Sequence, residues 1–232
     1  ALIVGLFILL AKFVGFVQKI IMAPYFGTGH EADAFTVAFN SIVFTFCLFP
    51  SQMLSPFLPI FVETREKKGE EEAWKLAGTT GAITAVIMAV VIGAAIIGAD
   101  YLVFAASSFE SVATTALVIK LSRFMLPAAF FMALFYLFAL LMNSYKRFAL
   151  PAFGDSLNKI AAIVFLVLLA PLIGIFSLAT GVVAGAAISL AVLVMAFKAK
   201  LPFLRHGVGL RHPGLVQLGR LLPPIIVGIL IA

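Results

Sequence analysis

The sequence is short of charge. Its 16 Lys and Arg and 10 Asp and Glu make up 11% of 232 residues, where a soluble domain carries about 25%. It is equally short of cysteine, and the single Cys47 excludes a disulfide framework within the chain. His30, His206 and His212 are the only histidines and have no metal-ligand spacing. No Ser/His/Asp set falls within one apolar run, and no glycine-rich phosphate loop follows a strand. No catalytic constellation, metal or cofactor is therefore expected, and a transporter or a scaffold is favoured over an enzyme. The net charge of +6 does not imply nucleic acid, because the basic residues are spread between apolar runs rather than gathered on a soluble face. No small-residue cleavage site follows a short apolar stretch, so a cleaved signal peptide is not expected. The chain opens and closes inside apolar runs and reads as a piece of something longer.

What the sequence has in excess is hydrocarbon. Hydrophobic residues make up 63% of the chain and the mean hydropathy is +1.19, more than a soluble globule of this size can bury. The fold class expected is all-α, a polytopic membrane helix bundle, because continuous apolar runs satisfy their backbone in lipid only as helices. Windows of about 19 residues give six spans near Leu2–Tyr25, Ala34–Phe61, Leu76–Ala99, Leu117–Met142, Leu157–Gly174 and Phe176–Phe197, and the start of a seventh near Leu215. This divides the chain into a first six-helix lobe (1–197), an inter-lobe connector (198–214) and the opening of the seventh helix (215–232). The connector is marked by Pro202, Gly207, Gly209, Pro213 and Gly214, and its basic and apolar mix suits anionic lipid headgroups.

Orientation follows from the cations. Arg65, Lys67, Lys68 and Lys75, then Lys146, Arg147 and Lys159, then Lys198, Lys200, Arg205, Arg211 and Arg220 lie at connections on one side, 12 of the 16 basic residues. The opposite connections Phe26–Asp33, Asp100–Ala116 and Gly174–Ile175 hold none. The charged side is then cytoplasmic and the amino end lies inside. Lys120 and Arg123 read as interfacial anchors, Trp74 as an interfacial residue on a solvated turn, and Gly181-Val-Val-Ala-Gly185 as a helix-packing face.

Polar groups inside apolar runs carry the functional expectation. A lysine at a helix centre costs about 2.5–3.5 kcal/mol on insertion scales, so it faces water or a partner. Lys12, Gly15 and Lys19 share a face of the first helix at i, i+3, i+7, with Gln18 flanking it. One reading makes this face the cationic wall of a cavity for an anionic ligand. The other lets both lysines snorkel to headgroups. Asp33 and Asn40, at i and i+7, share a face of the second helix. Asp33 is either an acidic residue favoured at a helix start or a counter-charge to Lys19. Pro50, Pro56 and Pro59 either kink the second helix or end it early.

Two stretches resemble a known family. Gly15-Phe-Val-Gln-Lys-Ile-Ile-Met-Ala-Pro-Tyr-Phe-Gly27 followed by Ala32-Asp-Ala-Phe-Thr-Val-Ala-Phe39, and Asn143-Ser-Tyr-Lys-Arg-Phe-Ala-Leu-Pro-Ala-Phe153, are similar to segments of the MviN/MurJ family of lipid II flippases. The resemblance implies two six-helix lobes facing a central cavity that works by alternating access. It implies as cargo the undecaprenyl-pyrophosphate-linked peptidoglycan precursor, a lipid-linked anionic substrate, moved across the bacterial cytoplasmic membrane. Cell-wall synthesis proteins are the partners it suggests, besides membrane lipids. The implied substrate-binding residues are Lys12, Gln18, Lys19, Asp33 and Asn40. Lys12 and Gly15 stand where the family has Arg and Gly; Gln18 replaces its second Arg and Lys19 the acidic neighbour. The arginine pair and Glu-Gly of the family's second helix are replaced by Thr45-Phe-Cys-Leu-Phe-Pro-Ser-Gln52. A flippase for another polyprenyl-linked saccharide, or a non-transporting scaffold for envelope enzymes, is the alternative.

Overall fold

The computed structural model describes residues 2–27, 29–106, 112–198 and 212–231, and among them it is helical with no strand. The helices are α1 (Leu2–Phe26), α2 (His30–Val37), a π-helical turn (Ala38–Val43), α3 (Phe44–Met53), α4 (Phe57–Lys68), α5 (Glu70–Ile97), α6 (Ala99–Ala106), α7 (Val112–Ser144), α8 (Ala149–Ile173), α9 (Phe176–Ala196) and α10 (Pro213–Ile231). Among the described residues, five helical segments are long and apolar enough to cross a membrane: His30–Lys68, α5, α7, α8 and α9. The segments expected as the first span and the seventh are helical too, as α1 and α10. Most of the expected connector, residues 199–211, lies outside the described residues.

The expected second span is not one continuous helix. Its first third widens into the π turn, where the Phe44 N–H reaches back five residues to the Phe39 carbonyl. It then breaks at Leu54-Ser-Pro56 and resumes as α4. The prolines account for the break. Pro56 is the N-cap of α4 and Pro59 lies in its first turn, where a missing N–H costs no helical bond. Pro50 sits inside α3, which ends three residues later. The expected cytoplasmic turn is also largely helical: α4 and α5 are separated by Gly69 alone, at φ +93°, a backbone conformation that only glycine adopts readily. On the opposite side, the expected Asp100–Ala116 loop contains α6 and the first turn of α7.

α7 is the central element, packing against α9, α5 and the α2–π–α3 segment. Leu121, Met125, Leu126, Ala129 and Ala133 of α7 are buried in the main core with Ile42, Val43, Leu166, Leu178 and Ala186. A second core closes the end that carries the α4–α5 turn. There Trp74 is completely buried, in contact with Phe61, Tyr145 and Phe197, so it is a core residue rather than an interfacial one. Its indole N–H donates to the Tyr145 hydroxyl at 2.9 Å, and that hydroxyl donates to Glu70 Oε1 at 2.6 Å. Arg65 lies over the Tyr145 ring, 5.0 Å from its centroid, and donates to the Ser144 carbonyl at 3.3 Å.

α8 and α9 form the most extensive helix pair, joined at Gly174 with φ +56°. Small residues set their approach. A Cβ on Gly181 would fall 2.6 Å from the Ala162 Cα, and one on Gly185 would fall 2.6 Å from Asn158 Oδ1 and 2.7 Å from its carbonyl oxygen. The Ser189 hydroxyl donates to the Gly154 carbonyl at 2.7 Å. The pairs Gly154 with Ser189, Asn158 with Gly185 and Ala162 with Gly181 step along the interface in antiparallel register, one turn at a time. The expected packing role of the Gly181–Gly185 motif is what the structure shows.

Candidate functional site: a polar cavity between the first, second, fourth and fifth spans

A cavity of about 600 Å³ lies between α1, the α2–π–α3 segment, α7 and α8. Its apolar wall includes Met22, Phe35, Phe39, Val43, Phe44 and Met132, with the Phe35 and Phe39 rings stacked at 6.0 Å. Its polar lining is Gln18 and Lys19 from α1, Thr36 and Asn40 from the second segment, Tyr136 from α7, and Asp155, Asn158 and Lys159 from α8. Two ammonium groups therefore share the cavity with one carboxylate.

Each polar group has a local reason for its position. Lys19 and Gly15 are one turn apart on α1, and both line the cavity. Asn40 is brought in by the π turn, a wide turn of a kind found often at functional sites. On α8, Asp155, Asn158, Lys159 and Ala162 recur at helical spacing and line one wall. Lys159 pairs with Asp155 at 3.0 Å, both side chains being partly exposed to the cavity. An i,i+4 pair at this exposure stabilises a helix by only about 0.3–0.5 kcal/mol. Gly15 lies beside Lys159 of α8: a Cβ there would meet the Lys159 δ-carbon at 3.9 Å, an ordinary van der Waals contact. Lys159 thus crosses α1 at the level of Gly15, about 6 Å of helix rise from Lys19.

Of the five residues expected in the site, Gln18, Lys19 and Asn40 line the cavity. Lys12 is exposed on α1 and is not in the lining. Asp33 is exposed in the first turn of α2, where its charge suits the helix start. No ion pair among the described residues joins Asp33 to Lys19. Sequence reasoning missed Tyr136, Asp155 and Asn158 and assigned Lys159 to a connection. In the structure α8 begins at Ala149, so Lys159 lies ten residues inside the helix. The available signal was the polar cluster Asp155-Ser-Leu-Asn-Lys159, with Asp155 four residues before Lys159, leading into an apolar run.

Arg123 and His212 make their contacts away from the cavity. Arg123 Nη2 donates to Asp100 Oδ2 at 2.8 Å and its Nε to the Ile96 carbonyl at 3.2 Å, tying α7 to the end of α5 and to α6. His212 is largely buried at the start of α10. Its Nδ1 accepts from the Gly214 N–H at 3.1 Å, and Nε2 lies 3.4 Å from Glu72 Oε1 without a hydrogen bond.

Comparison with known proteins agrees in fold and family. The family model described as "Lipid II flippase MurJ" matches residues 22–232. A lipid II flippase MurJ of Burkholderia cenocepacia is 30% identical over 94% of this chain, which spans 44% of that protein. A probable lipid II flippase MurJ of Buchnera aphidicola subsp. Schizaphis graminum is 29% identical over 70% of this chain and 32% of its own length. A solved structure of lipid II flippase MurJ in an inward closed conformation superposes with a TM-score of 0.70 at 20% identity, covering 94% of this chain and 48% of that one. The chain thus spans less than half the length of each of these relatives. It is a multi-pass membrane protein, and it belongs to the lipid II flippase MurJ family.

Proposed function

We propose that the chain is the first lobe of a flippase that moves a lipid-linked, diphosphate-bearing peptidoglycan precursor across the bacterial inner membrane. In this reading residues 1–197 form the six-helix lobe, 198–214 the cytoplasmic connector and 215–232 the start of the seventh span. The amino end is cytoplasmic. The observation that carries the reading is a cavity in which Lys19, Gln18 and Asn40 converge from two spans that sequence alone had singled out.

The physics is that of charge burial. A diphosphate cannot enter hydrocarbon without losing its hydration, and a cationic cavity replaces water with ammonium and amide donors. The apolar wall around Phe35 and Phe39 suits the hydrocarbon that accompanies such a headgroup. Lys12, one turn below Gly15 on the same face of α1, receives the headgroup as it enters, and Asp33 marks the far end of the path. Lysine holds phosphate as a point charge rather than by a planar fork, so recognition here depends on charge and on the neighbouring amides. Alternating access between this lobe and a second one completes transport, with no covalent step.

The test is complementation. The full-length protein should restore growth and cell shape to bacteria depleted of their flippase, and the K12Q/K19Q double variant, at equal membrane abundance, should not. Full rescue by the double variant would overturn the cationic-cavity reading. Failure of the unmodified protein to rescue would favour a scaffold for envelope enzymes instead.

A further inference from the structure

The fifth span brings an anion into a cavity read as built for anions. Asp155 faces Lys159 at 3.0 Å from the same helix, and both line the space that holds Lys19. This pair joins no two elements, since both partners stand on α8. The packing of α8 against α9 runs through Gly154, Asn158 and Ala162 instead. The carboxylate is thus poorly explained as a structural tie. It is well explained as a counter-ion: an ammonium group at this depth is costly unless it is paired or hydrated.

We propose that Asp155 is an exchangeable stand-in for the ligand, neutralising Lys159 while the cavity is empty and yielding it to an incoming diphosphate. The proposal rests on the cavity reading above and adds to it a second cation and a release device. Lys159 crosses α1 at Gly15, one turn from Lys19, so the two ammonium groups stand where both can reach adjoining phosphates. The Asp155 bond is a partly exposed i,i+4 pair, weak enough for a multiply charged anion to displace. Once displaced, the carboxylate stays beside the bound anion. Like-charge repulsion then favours release, and Asp155 retakes Lys159 as the ligand departs. Asp155 acts through Lys159 and is a positioning residue rather than a ligand.

The experiment is equilibrium binding of farnesyl diphosphate and of inorganic pyrophosphate to the full-length protein in detergent, with flipping measured in proteoliposomes. Asp155→Asn should bind the diphosphate roughly three- to tenfold more tightly, because it loses a competitor for Lys159, and yet flip more slowly. Lys159→Gln should bind roughly tenfold more weakly, the loss of one charge-assisted contact, and Lys159→Arg should restore binding. The double variant D155N/K159Q should bind like K159Q. Binding of farnesyl diphosphate alone identifies a lipid-borne headgroup, and equal binding of pyrophosphate identifies the free anion as sufficient; the exchange holds in either case. If K19Q weakens binding while D155N leaves it unchanged or weaker, the exchange is wrong and the cavity reading stands. If the unmodified protein binds neither probe, the cavity reading falls, and this inference with it.

Discussion

At the scale of single residues, the side chains that decide this protein's behaviour are polar groups placed where the chain is otherwise apolar. Tyr145 shows the rule outside the membrane spans. Burial, and then its hydrogen bond to Glu70, push its phenol above the ordinary value. A raised value in the folded state means that the neutral phenol supports the fold. That support is complete below the unfolded value of about 10 and is lost as pH rises through the folded one. Trp74 is the only tryptophan in the chain and donates to Tyr145, so its fluorescence reports the cluster directly. The emission of the unmodified protein should shift to the red above about pH 10 as the cluster opens. Tyr145→Phe should start about 1 kcal/mol less stable and lack that step. An identical alkaline step in both proteins would remove Tyr145 from the account.

Helices, rather than residues, were most legible in the sequence, and the reasons for success and failure differ by element. α5, α7, α8 and α9 are long apolar runs, and hydropathy alone locates them. The second span defeated the same reading because a hydropathy window is blind to where backbone hydrogen bonds are rearranged. The π turn at Ala38–Val43 has neither glycine nor proline, and the break at Leu54-Ser-Pro56 depends on which proline falls in a first turn. The site divides in the same way. Lys19 and Gln18 stand out as polar residues in a greasy helix, whereas Lys159 reads as the edge of a connection and Asp155 carries no signal of its own, because α8 starts eight residues earlier than the apolar run. Trp74 was misplaced because its burial depends on Phe61, Tyr145 and Phe197, which are remote in sequence. Packing between elements also yields a prediction. Gly185→Ala drives a methyl group against the Asn158 backbone and amide and should cost about 1–3 kcal/mol, while shifting the α8 wall of the cavity. Gly93→Ala, where a Cβ meets nothing within 4 Å, should be neutral or stabilising by up to about 1 kcal/mol through helix propensity. Thermal unfolding in detergent separates the two, and equal melting temperatures would contradict the close approach of α8 and α9.

For the molecule as a whole, the proposed transport depends on how the bundle sits in the membrane, and its charge asymmetry is the basis for the proposed orientation. The α4–α5 turn with Arg65, Lys67 and Lys68, and the α7–α8 turn with Lys146 and Arg147, lie at one end of the bundle. The α1–α2 and α8–α9 turns lie at the other. With cations held on the cytoplasmic side during insertion, the orientation proposed above has the Trp74–Tyr145 core facing the cytoplasm and the Gly174 turn facing outward. Cys47 is the single cysteine of this sequence and is buried, so Cys47→Ala, with any cysteine elsewhere in the full-length protein also replaced, gives a background for single-cysteine mapping. On that background His30→Cys and Gly174→Cys should react with a membrane-impermeant maleimide added to intact spheroplasts. Lys67→Cys and Arg147→Cys should react only after the membrane is opened. The inverse pattern would turn the lobe over, and with it the side from which Lys12 and Lys19 are proposed to meet the headgroup. A cavity loaded from the wrong face could not carry a precursor made in the cytoplasm, however well its charges matched.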